Sequence, residues 1–202
     1  MSLSHTVNIR IASGSIEAAR NATVETSNGL NVAETLAAAK AGTLTTRTDA
    51  NTGVATMSSG HGIATNDVCD IYWTGGRRYG MTATVATNAV TLDGGSGDDL
   101  PAQGTAVTVQ VQQEFSFVFT GDNAELLFLN LTNNHRGHLS LYDAGGSELE
   151  VDINESGIPY LWTTGMGTNP VAGDSIVKVI ATHSSSTASC ELQAVVAYEG
   201  AL

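Results

Sequence analysis

Short runs of alternating apolar and polar residues, separated by Gly, Asn, Asp or Ser, recur along this chain of 202 residues. Alternation with a period of two places successive side chains on opposite faces of a strand, and the small residues between the runs allow the chain to turn. The run "TVNIRI" at residues 6–11, for example, places Val7, Ile9 and Ile11 on one face. The pattern predicts an all-β fold of the sandwich or barrel kind.

Residues 43–112 contain about five short runs of this kind, joined by tight turns. In "DVCDIYW" (67–73) the two faces hold Cys69, Ile71 and Trp73 on one side and Val68, Asp70 and Tyr72 on the other. The two glycines at 75 and 76 then offer the positive φ angles that a tight hairpin requires. The length and spacing of these runs predict a small SH3-like or OB-like β-barrel.

Longer runs begin at Glu114: "EFSFVF", "AELLFLNL", "GHLSLYDA", "SELEVDI", "YLWTTG", "SIVKVIATH" and "CELQAVVAYE". Their number and the turn signals between them favour a β-sandwich, Ig-like or jelly-roll-like. The segment before the barrel has too few elements to bury its own apolar run, so we expect it to complete this sandwich. The predicted domains are a discontinuous β-sandwich, residues 1–42 and 113–202, and an inserted small β-barrel, residues 43–112.

One segment departs from the β pattern. "NVAETLAAAKAG" (31–42) has Asn31 followed by Glu34, an Ala-rich body, Lys40 near its end and Gly42 beyond it. These are the signals of a capped helix. We therefore expect at most one short helix in the chain, at this position.

The charge of the chain excludes two classes of partner. Lys and Arg number 8 against 20 Asp and Glu, which gives a formal net charge of −12. The sole adjacent basic pair is Arg77 and Arg78, so there is no basic face to neutralise phosphates, and we expect neither nucleic acid nor an anionic membrane as partner. The start, "MSLSHTVNIR", lacks the pattern of a secretion signal, and no run approaches the roughly 18 apolar residues of a membrane span, so we expect a soluble chain.

"LDGGSGDDLP" (92–101) resembles the start of the nonapeptide that binds calcium in parallel β-helices. Those repeats work because neighbouring turns share each ion, and only one copy is present here. We therefore expect a turn between barrel strands, in which Asp93, Asp98 and Asp99 supply local hydrogen bonds. The alternative is a lone calcium ion, because three carboxylates lie close together in sequence.

The histidines do not form a recognisable metal or catalytic motif. "HRGH" places His135 and His138 at ligand spacing for a helix, but the neighbouring runs predict a hairpin turn here, so we expect a structural or surface role. His5, His61 and His183 are scattered. No nucleophile elbow, zinc-protease or phosphate-loop motif occurs. We expect a non-enzymatic protein with no catalytic residues, no metal ligands and no cofactor.

The aromatic and cysteine residues have structural interpretations. Tyr72, Trp73, Tyr160 and Trp162 could form a stacking platform for sugar rings, but Trp73 alternates in phase with the apolar face of its run, which favours core packing. Cys69 and Cys190 have neither a metal spacing nor a disulfide framework, and we expect buried thiols, with their pairing left open. Asn21, Asn130 and Asn154 begin glycosylation acceptor patterns that we interpret as chance matches.

The region from Gly42 to Pro101 resembles a module of uncharacterised structural proteins of tailed bacteriophages and prophages. The features that carry the resemblance are "GHGI" (60–63), the Tyr72-Trp73 pair, "RYGMT" (78–82) and "DGGSGDDLP" (93–101). The module covers about a third of the chain, and the flanking segments are similar to the rest of the same group. In these proteins the acidic loop is a turn between strands, and no metal is implied.

The resemblance implies a virion structural protein, most simply a decoration protein on the outer surface of a phage head, or a head or tail accessory protein. Its partners would be the major capsid protein and its own copies, with a trimer favoured, and its location would be the virion, assembled in the host cytoplasm. The acidic charge fits a component that faces solvent rather than packaged DNA. The alternative function is a carbohydrate-binding or adhesin β-module.

Overall fold

The computed structural model describes residues 2–6, 32–118, 125–132, 136–142, 148–153, 160–163, 176–186 and 191–197. Within these ranges there are fifteen β-strands and no helix, and hence no helix long and apolar enough to cross a membrane. The strands are β1 (Ser2–Thr6), β2 (Val32–Thr35), β3 (Lys40–Arg47), β4 (Thr52–Met57), β5 (Val68–Trp73), β6 (Gly76–Ala86), β7 (Ala89–Asp93), β8 (Ala106–Val111), β9 (Gln113–Val118), β10 (Glu125–Thr132), β11 (Gly137–Tyr142), β12 (Glu148–Ile153), β13 (Tyr160–Thr163), β14 (Ile176–His183) and β15 (Glu191–Ala197).

Strands β3 to β8 close into an antiparallel barrel with the neighbour order β3-β4-β7-β6-β5-β8. The expected barrel is therefore present, with six strands rather than about five. Side chains of its strands, together with Ile63 and Leu100 from the connections, form one apolar core. The strand residues in it are Leu44, Ala55, Met57, Cys69, Ile71, Met81, Ala83, Val90, Leu92, Val107 and Val109. Trp73 is partly buried against this core, as its phase with Cys69 and Ile71 predicts.

The hairpin between β5 and β6 uses one of the two glycines assigned to it. Trp73 pairs with Gly76, so the turn itself consists of Thr74 and Gly75. Gly75 has a φ of +91°, which suits a residue without a side chain. Gly76 belongs to β6 instead, and a Cβ there would lie 2.4 Å from the indole of Trp73. The second glycine therefore provides space for Trp73 rather than the turn.

The other strands form two open sheets. A five-stranded sheet has the order β1-β9-β14-β11-β12, and a four-stranded sheet has the order β13-β10-β15-β2. Strand β1 precedes the barrel in sequence and pairs in parallel with β9, which follows it, while β2 pairs antiparallel with β15. Of the predicted strand at residues 6–11, only Thr6 lies within the described residues, at the end of β1.

The helix signals at residues 31–42 do not produce a helix in the described part of this segment, residues 32–42, so the one short helix allowed there is absent from it. Residues 32–35 form strand β2, residues 36–39 have no regular structure, and Lys40 begins β3. Leu36 and Ala39 are both 0% exposed, and the backbone N–H of Ala39 donates to the carbonyl of Ser185. Pairing with β15 and β8 satisfies this backbone in place of helical hydrogen bonds, so tertiary contacts override the local helix signals.

Candidate functional site

The structure places a buried carboxylate of the barrel against the five-stranded sheet. Asp70 lies on β5 and is 0% exposed. Its Oδ1 accepts hydrogen bonds from the backbone N–H of Gly80 at 2.9 Å and from Nε2 of Gln112 at 2.8 Å. Its Oδ2 accepts a hydrogen bond from Oγ1 of Thr182 at 2.5 Å and lies 2.7 Å from Nδ1 of His138. Each oxygen therefore has two partners, which offsets the cost of removing a carboxylate from water.

A β-bulge in β6 positions the first of these donors. The register of the β5–β6 pair shifts between Cys69 and Ile71, so that an extra residue of β6 lies opposite Asp70. Gly80 belongs to this bulge and has a φ of +67°, a conformation that residues with a side chain rarely adopt. The bulge removes the N–H of Gly80 from the regular ladder and directs it to the carboxylate of Asp70.

His138 connects this carboxylate to a serine on the same strand, β11. Because the carboxylate of Asp70 accepts, Nδ1 of His138 carries a proton and donates it. Its Nε2 lies 2.8 Å from Oγ of Ser140, and in the neutral imidazole Nε2 accepts the hydroxyl proton. Tyr79 stacks on the imidazole, with the ring centroids 4.0 Å apart. The sequence of contacts Ser140–His138–Asp70 is the one that activates a nucleophilic serine in hydrolases.

The serine and the histidine of this arrangement are both buried. Ser140 is 0% exposed and His138 is 4% exposed. Neither the cavity beside Trp73 nor the smaller one beside Arg78 is lined by Ser140. Nucleophilic catalysis requires the hydroxyl oxygen to reach a substrate carbon, with N–H donors around the developing oxyanion. In this conformation Ser140 is enclosed, and the three side chains link the barrel to the five-stranded sheet.

Tyr72 and Thr182 extend the same network. Thr182 donates its single hydroxyl proton to Asp70, so the hydroxyl of Tyr72, 2.7 Å from Oγ1 of Thr182, is the donor in that pair. Tyr72 is 2% exposed, and burial, followed by the negative charge of Asp70, raises its pKa well above the usual value. We call the set Asp70, Tyr72, His138, Ser140 and Thr182 the polar joint.

A second group of contacts crosses the same boundary through Gln110, on β8. Its Nε2 donates to the carbonyl of Ala37, and its Oε1 accepts from the backbone N–H of His183. The imidazole of His183 also binds Ala37, from Nε2 at 2.9 Å, while its Nδ1 accepts the N–H of Ser185 at 3.2 Å. The imidazole is therefore neutral, with its proton on Nε2. Buried polar groups on both sides are thus paired with each other.

Comparison with known proteins leaves the chain unassigned. No protein-family model matches it, and no curated protein matches it. The functional interpretation therefore depends on the geometry of the described residues.

A cavity of about 480 Å³ lies where the barrel meets the residue before β11 and the residue after β14. The residues that line it are Ala41, Gly42, Tyr72, Trp73, Thr74, Ala106, Val107, Thr108, Arg136 and Ser184. Arg136 fixes one side, because its Nη1 donates to the carbonyls of Trp73 at 3.1 Å and of Gly76 at 3.2 Å. Oγ1 of Thr108 donates to the carbonyl of Ser184 at 2.9 Å and connects the barrel to β14 there.

The loop that resembles a calcium-binding repeat contains an arginine side chain. Nη2 of Arg78 donates to the carbonyls of Gly94 at 2.7 Å and of Ser96 at 2.8 Å. A Cβ at Gly97 would lie 1.5 Å from Nη1 of Arg78, and a Cβ at Gly94 would lie 2.8 Å from its Nε. The glycines of this loop therefore make room for a guanidinium group, and a side chain supplies the cation that the carbonyl oxygens bind.

The three carboxylates of the loop have separate surroundings. Oδ1 of Asp93 accepts the backbone N–H of Gly95 at 3.0 Å, which is the local turn contact expected from the sequence. Asp99 forms an ion pair with Arg47 at 3.4 Å, and Asp98 lines a small cavity with residues 77–79. Among the described residues, no group of three His, Cys, Asp or Glu side chains is placed to hold a metal ion.

The structure places the histidines of the chain in different surroundings. His138 belongs to the polar joint, whereas His135 lies outside the described residues. His61 accepts the N–H of Ile63 on Nδ1 at 3.0 Å, so its Nε2 carries the proton that binds the carbonyl of Thr87. The side chain of His5 is not among those described. The described histidines thus pair with neighbouring protein groups.

The aromatic and cysteine predictions are confirmed where the structure describes them. Tyr72 is buried and Trp73 packs partly against the barrel core, while for Tyr160 and Trp162 the structure gives only their place on β13. Cys69 is a buried thiol without a disulfide. Cys190 lies outside the described residues, as do Asn21 and Asn154, and Asn130 lies on β10.

Sequence reasoning missed the polar joint. Asp70 was assigned to the second face of its strand, and Ser140 and Thr182 received no role. One feature of the sequence points to the buried position of Asp70. Asp70 shares its face of the strand with the large aromatic residue Tyr72, and a large aromatic residue on the second face indicates that both faces of the strand are covered. The partners of such a carboxylate lie far away in sequence, so the pattern of β5 alone does not identify them.

Proposed function

We propose that this chain is a non-enzymatic virion structural protein that decorates the outer surface of a tailed-phage head. The observation that carries the proposal is the enclosure of the polar joint. The groups with the greatest catalytic capacity are buried and bonded to each other, so they serve to fix the barrel on the sheet. A protein that works through its shape and surface needs such a rigid connection, and it needs no open reactive site.

The charge of the chain supports an outward-facing position. With a formal net charge of −12, the chain is repelled by packaged DNA and by anionic membranes. Decoration proteins occupy repeated sites on a lattice, where several weak contacts together produce strong attachment. We propose that the chain associates as a trimer, because a closed symmetric oligomer matches the local symmetry of such a shell.

We further propose that the two open sheets are the layers of one β-sandwich, formed by residues 1–42 and 113–202, with the barrel of residues 43–112 inserted. Strands β1 and β2 precede the barrel, and their partners β9 and β15 follow it, which supports a discontinuous domain. The entry and exit of the barrel are adjacent, because Lys40 of β3 pairs with Val109 of β8. Adjacent ends are what an inserted domain requires.

The proposal is tested by adding the purified chain to heads of the encoding virus or prophage that lack it. We expect co-sedimentation that saturates at a fixed ratio of chain to coat subunit, and a trimer of the chain by analytical ultracentrifugation. An unrelated acidic β-protein of similar mass provides the control. Absence of saturable binding, together with absence of the chain from purified particles by mass spectrometry, would refute the decoration role.

A carbohydrate-binding function is the second candidate. It is favoured by the position of Trp73, which is partly exposed and lines the 480 Å³ cavity, since indole rings stack on sugar faces. Binding on a glycan array in the absence of binding to heads would favour this alternative.

A further inference from the structure

Arg136 has hydrogen-bond donors for which the described part of the chain offers no acceptor. A guanidinium group has five N–H donors, and the two on Nη1 of Arg136 face the carbonyls of Trp73 and Gly76. Within the described part of the chain, Arg136 makes no other side-chain hydrogen bond and no ion pair. Among the described residues, the three N–H groups of Nε and Nη2 therefore remain for another acceptor, and no carboxylate forms an ion pair with Arg136.

The surroundings of Arg136 restrict what this acceptor can be. Arg136 is half-buried and lines the cavity of about 480 Å³, together with Trp73 and Thr74. Ala41, Ala106 and Val107 supply apolar lining. A volume of this size accommodates a small organic molecule, and the lining combines one cation with apolar and hydroxyl groups.

We propose that this cavity binds a small organic carboxylate. The Nε and Nη2 edge of a guanidinium presents two parallel N–H groups, which match the two oxygens of a carboxylate. The rest of the ligand then packs on the indole of Trp73, and this part of the ligand is either a sugar ring or an aromatic ring. The ligand class is therefore an acid with a flat or apolar face, such as a uronic acid or an aromatic acid. This inference does not depend on the virion role.

Hydrogen bonds to neighbouring backbone groups hold Arg136 in place. The carbonyls of Trp73 and Gly76 flank the turn of the β5–β6 hairpin and hold Nη1, and the backbone carbonyl of Arg136 accepts the N–H of Ser184 at 2.7 Å. A guanidinium fixed at one nitrogen loses little additional freedom when it binds a ligand. The same contacts orient its free edge before the ligand arrives.

The experiment measures binding of two acids and their neutral counterparts to the full chain by NMR titration. The probes are glucuronate with glucose, and benzoate with benzyl alcohol. We expect at least one acid to bind with a Kd on the order of 1 mM, and its neutral counterpart to bind at least about tenfold more weakly. The Nε–Hε resonance of Arg136 should shift with the acid that binds. Binding of glucuronate indicates a sugar acid as the ligand, and binding of benzoate indicates an aromatic acid.

The matched variants are Arg136→Gln and Arg47→Gln. Both remove one positive charge, but Arg47 pairs with Asp99 at another part of the barrel. We expect Arg136→Gln to weaken acid binding at least about tenfold and Arg47→Gln to leave it unchanged within twofold. If Arg136→Gln does not fold, the shift of the Arg136 Nε–Hε resonance in the unmodified chain tests whether the acid binds at Arg136. The proposal is overturned if neither acid binds below about 10 mM, if acid and neutral probes bind equally, or if the Arg136 resonance does not move.

Discussion

The carboxylate of Asp70, on barrel strand β5, lies 2.7 Å from the imidazole Nδ1 of His138, on strand β11 of the five-stranded sheet. Asp70 is 0% exposed and His138 is 4% exposed, so this contact forms away from water. Groups buried in this way stabilise a structure only while every partner is present, since each one is costly to leave alone. The contact therefore stabilises the association of the barrel with the sheet.

Replacing Asp70 by Ala should lower the free energy of unfolding by about 3–5 kcal/mol, because the change leaves His138, Thr182 and Gln112 without their acceptor. The measurement is urea unfolding followed by circular dichroism. Asp98→Ala is the matched control, since Asp98 is an exposed carboxylate in the barrel, and it should change stability by less than about 0.5 kcal/mol. Equal effects of the two substitutions would show that the polar joint does not stabilise the fold.

Ser140 should not react as a serine nucleophile in the folded protein, despite its hydrogen bond to His138. Its side chain is 0% exposed, so an active-site-directed fluorophosphonate cannot approach Oγ. We expect no labelling of the native chain, and no ester hydrolysis beyond that of the Ser140→Ala variant. Labelling that is confined to Ser140 and lost in Asp70→Asn would instead reveal an open state with hydrolase chemistry.

The barrel could be predicted from the sequence more fully than the joint. Period-2 alternation reports which face of a strand is buried, and in "DVCDIYW" it correctly placed Cys69 and Ile71 in the core. The helix signals at 31–42 misled because this segment pairs with strands that are distant in sequence, β2 with β15 and β3 with β8. The polar joint was not predictable from local patterns either, because Asp70 and Thr182 are distant in sequence and come into contact only when the chain folds.

The loop from Asp93 to Asp99 should keep its structure without calcium, because Nη2 of Arg78 already binds its carbonyl oxygens. A chelator should leave the melting temperature unchanged, and replacing Asp98 and Asp99 by Asn should change stability by less than about 1 kcal/mol. Arg78→Met should lower the melting temperature, since it leaves two carbonyls without a donor. A fall in melting temperature on adding chelator to the unmodified chain, but not to the Asn variant, would demonstrate a calcium site.

Cys69 should resist thiol reagents until the barrel opens. Burial, followed by the negative charges of Asp67 and Asp70, raises the pKa of its thiol from 9.0 to about 12. The folded state thus binds this proton more tightly than the unfolded state, and the resulting stability is complete below about pH 9 and is lost as the pH rises from about 9 to about 12. At pH 8 we expect a thiol reagent to modify Cys69 at least about 100-fold more slowly in the folded protein than in the protein unfolded by urea. The rate is measured by mass spectrometry of the peptide that contains residue 69. Equal rates in both states would contradict the buried thiol.

Residues 1–42 should be needed by the part of the chain that follows the barrel. Strand β1 pairs with β9, and β2 pairs with β15, so each open sheet loses an edge strand when the N-terminal segment is removed. Deleting residues 1–41 should therefore expose strand edges and cause aggregation. A soluble fragment of residues 113–202 with the same thermal melt in the presence and absence of the N-terminal segment would refute the discontinuous domain.

The barrel itself should be removable. Lys40 pairs with Val109, and the backbone N–H of Ala37 donates to Oε1 of Gln113 at 3.1 Å, so the chain enters and leaves the barrel at neighbouring positions. Joining Gly42 to Gln113 through a short Gly/Ser linker should then leave the β-sheets folded, because His138 and Thr182, the partners of Asp70 outside the barrel, would exchange a buried carboxylate for water. Circular dichroism should show β-structure with a cooperative melt at a lower temperature than in the full chain, because the contacts of the joint are lost. An unfolded linked chain would show instead that the barrel and the sheets form a single cooperative unit.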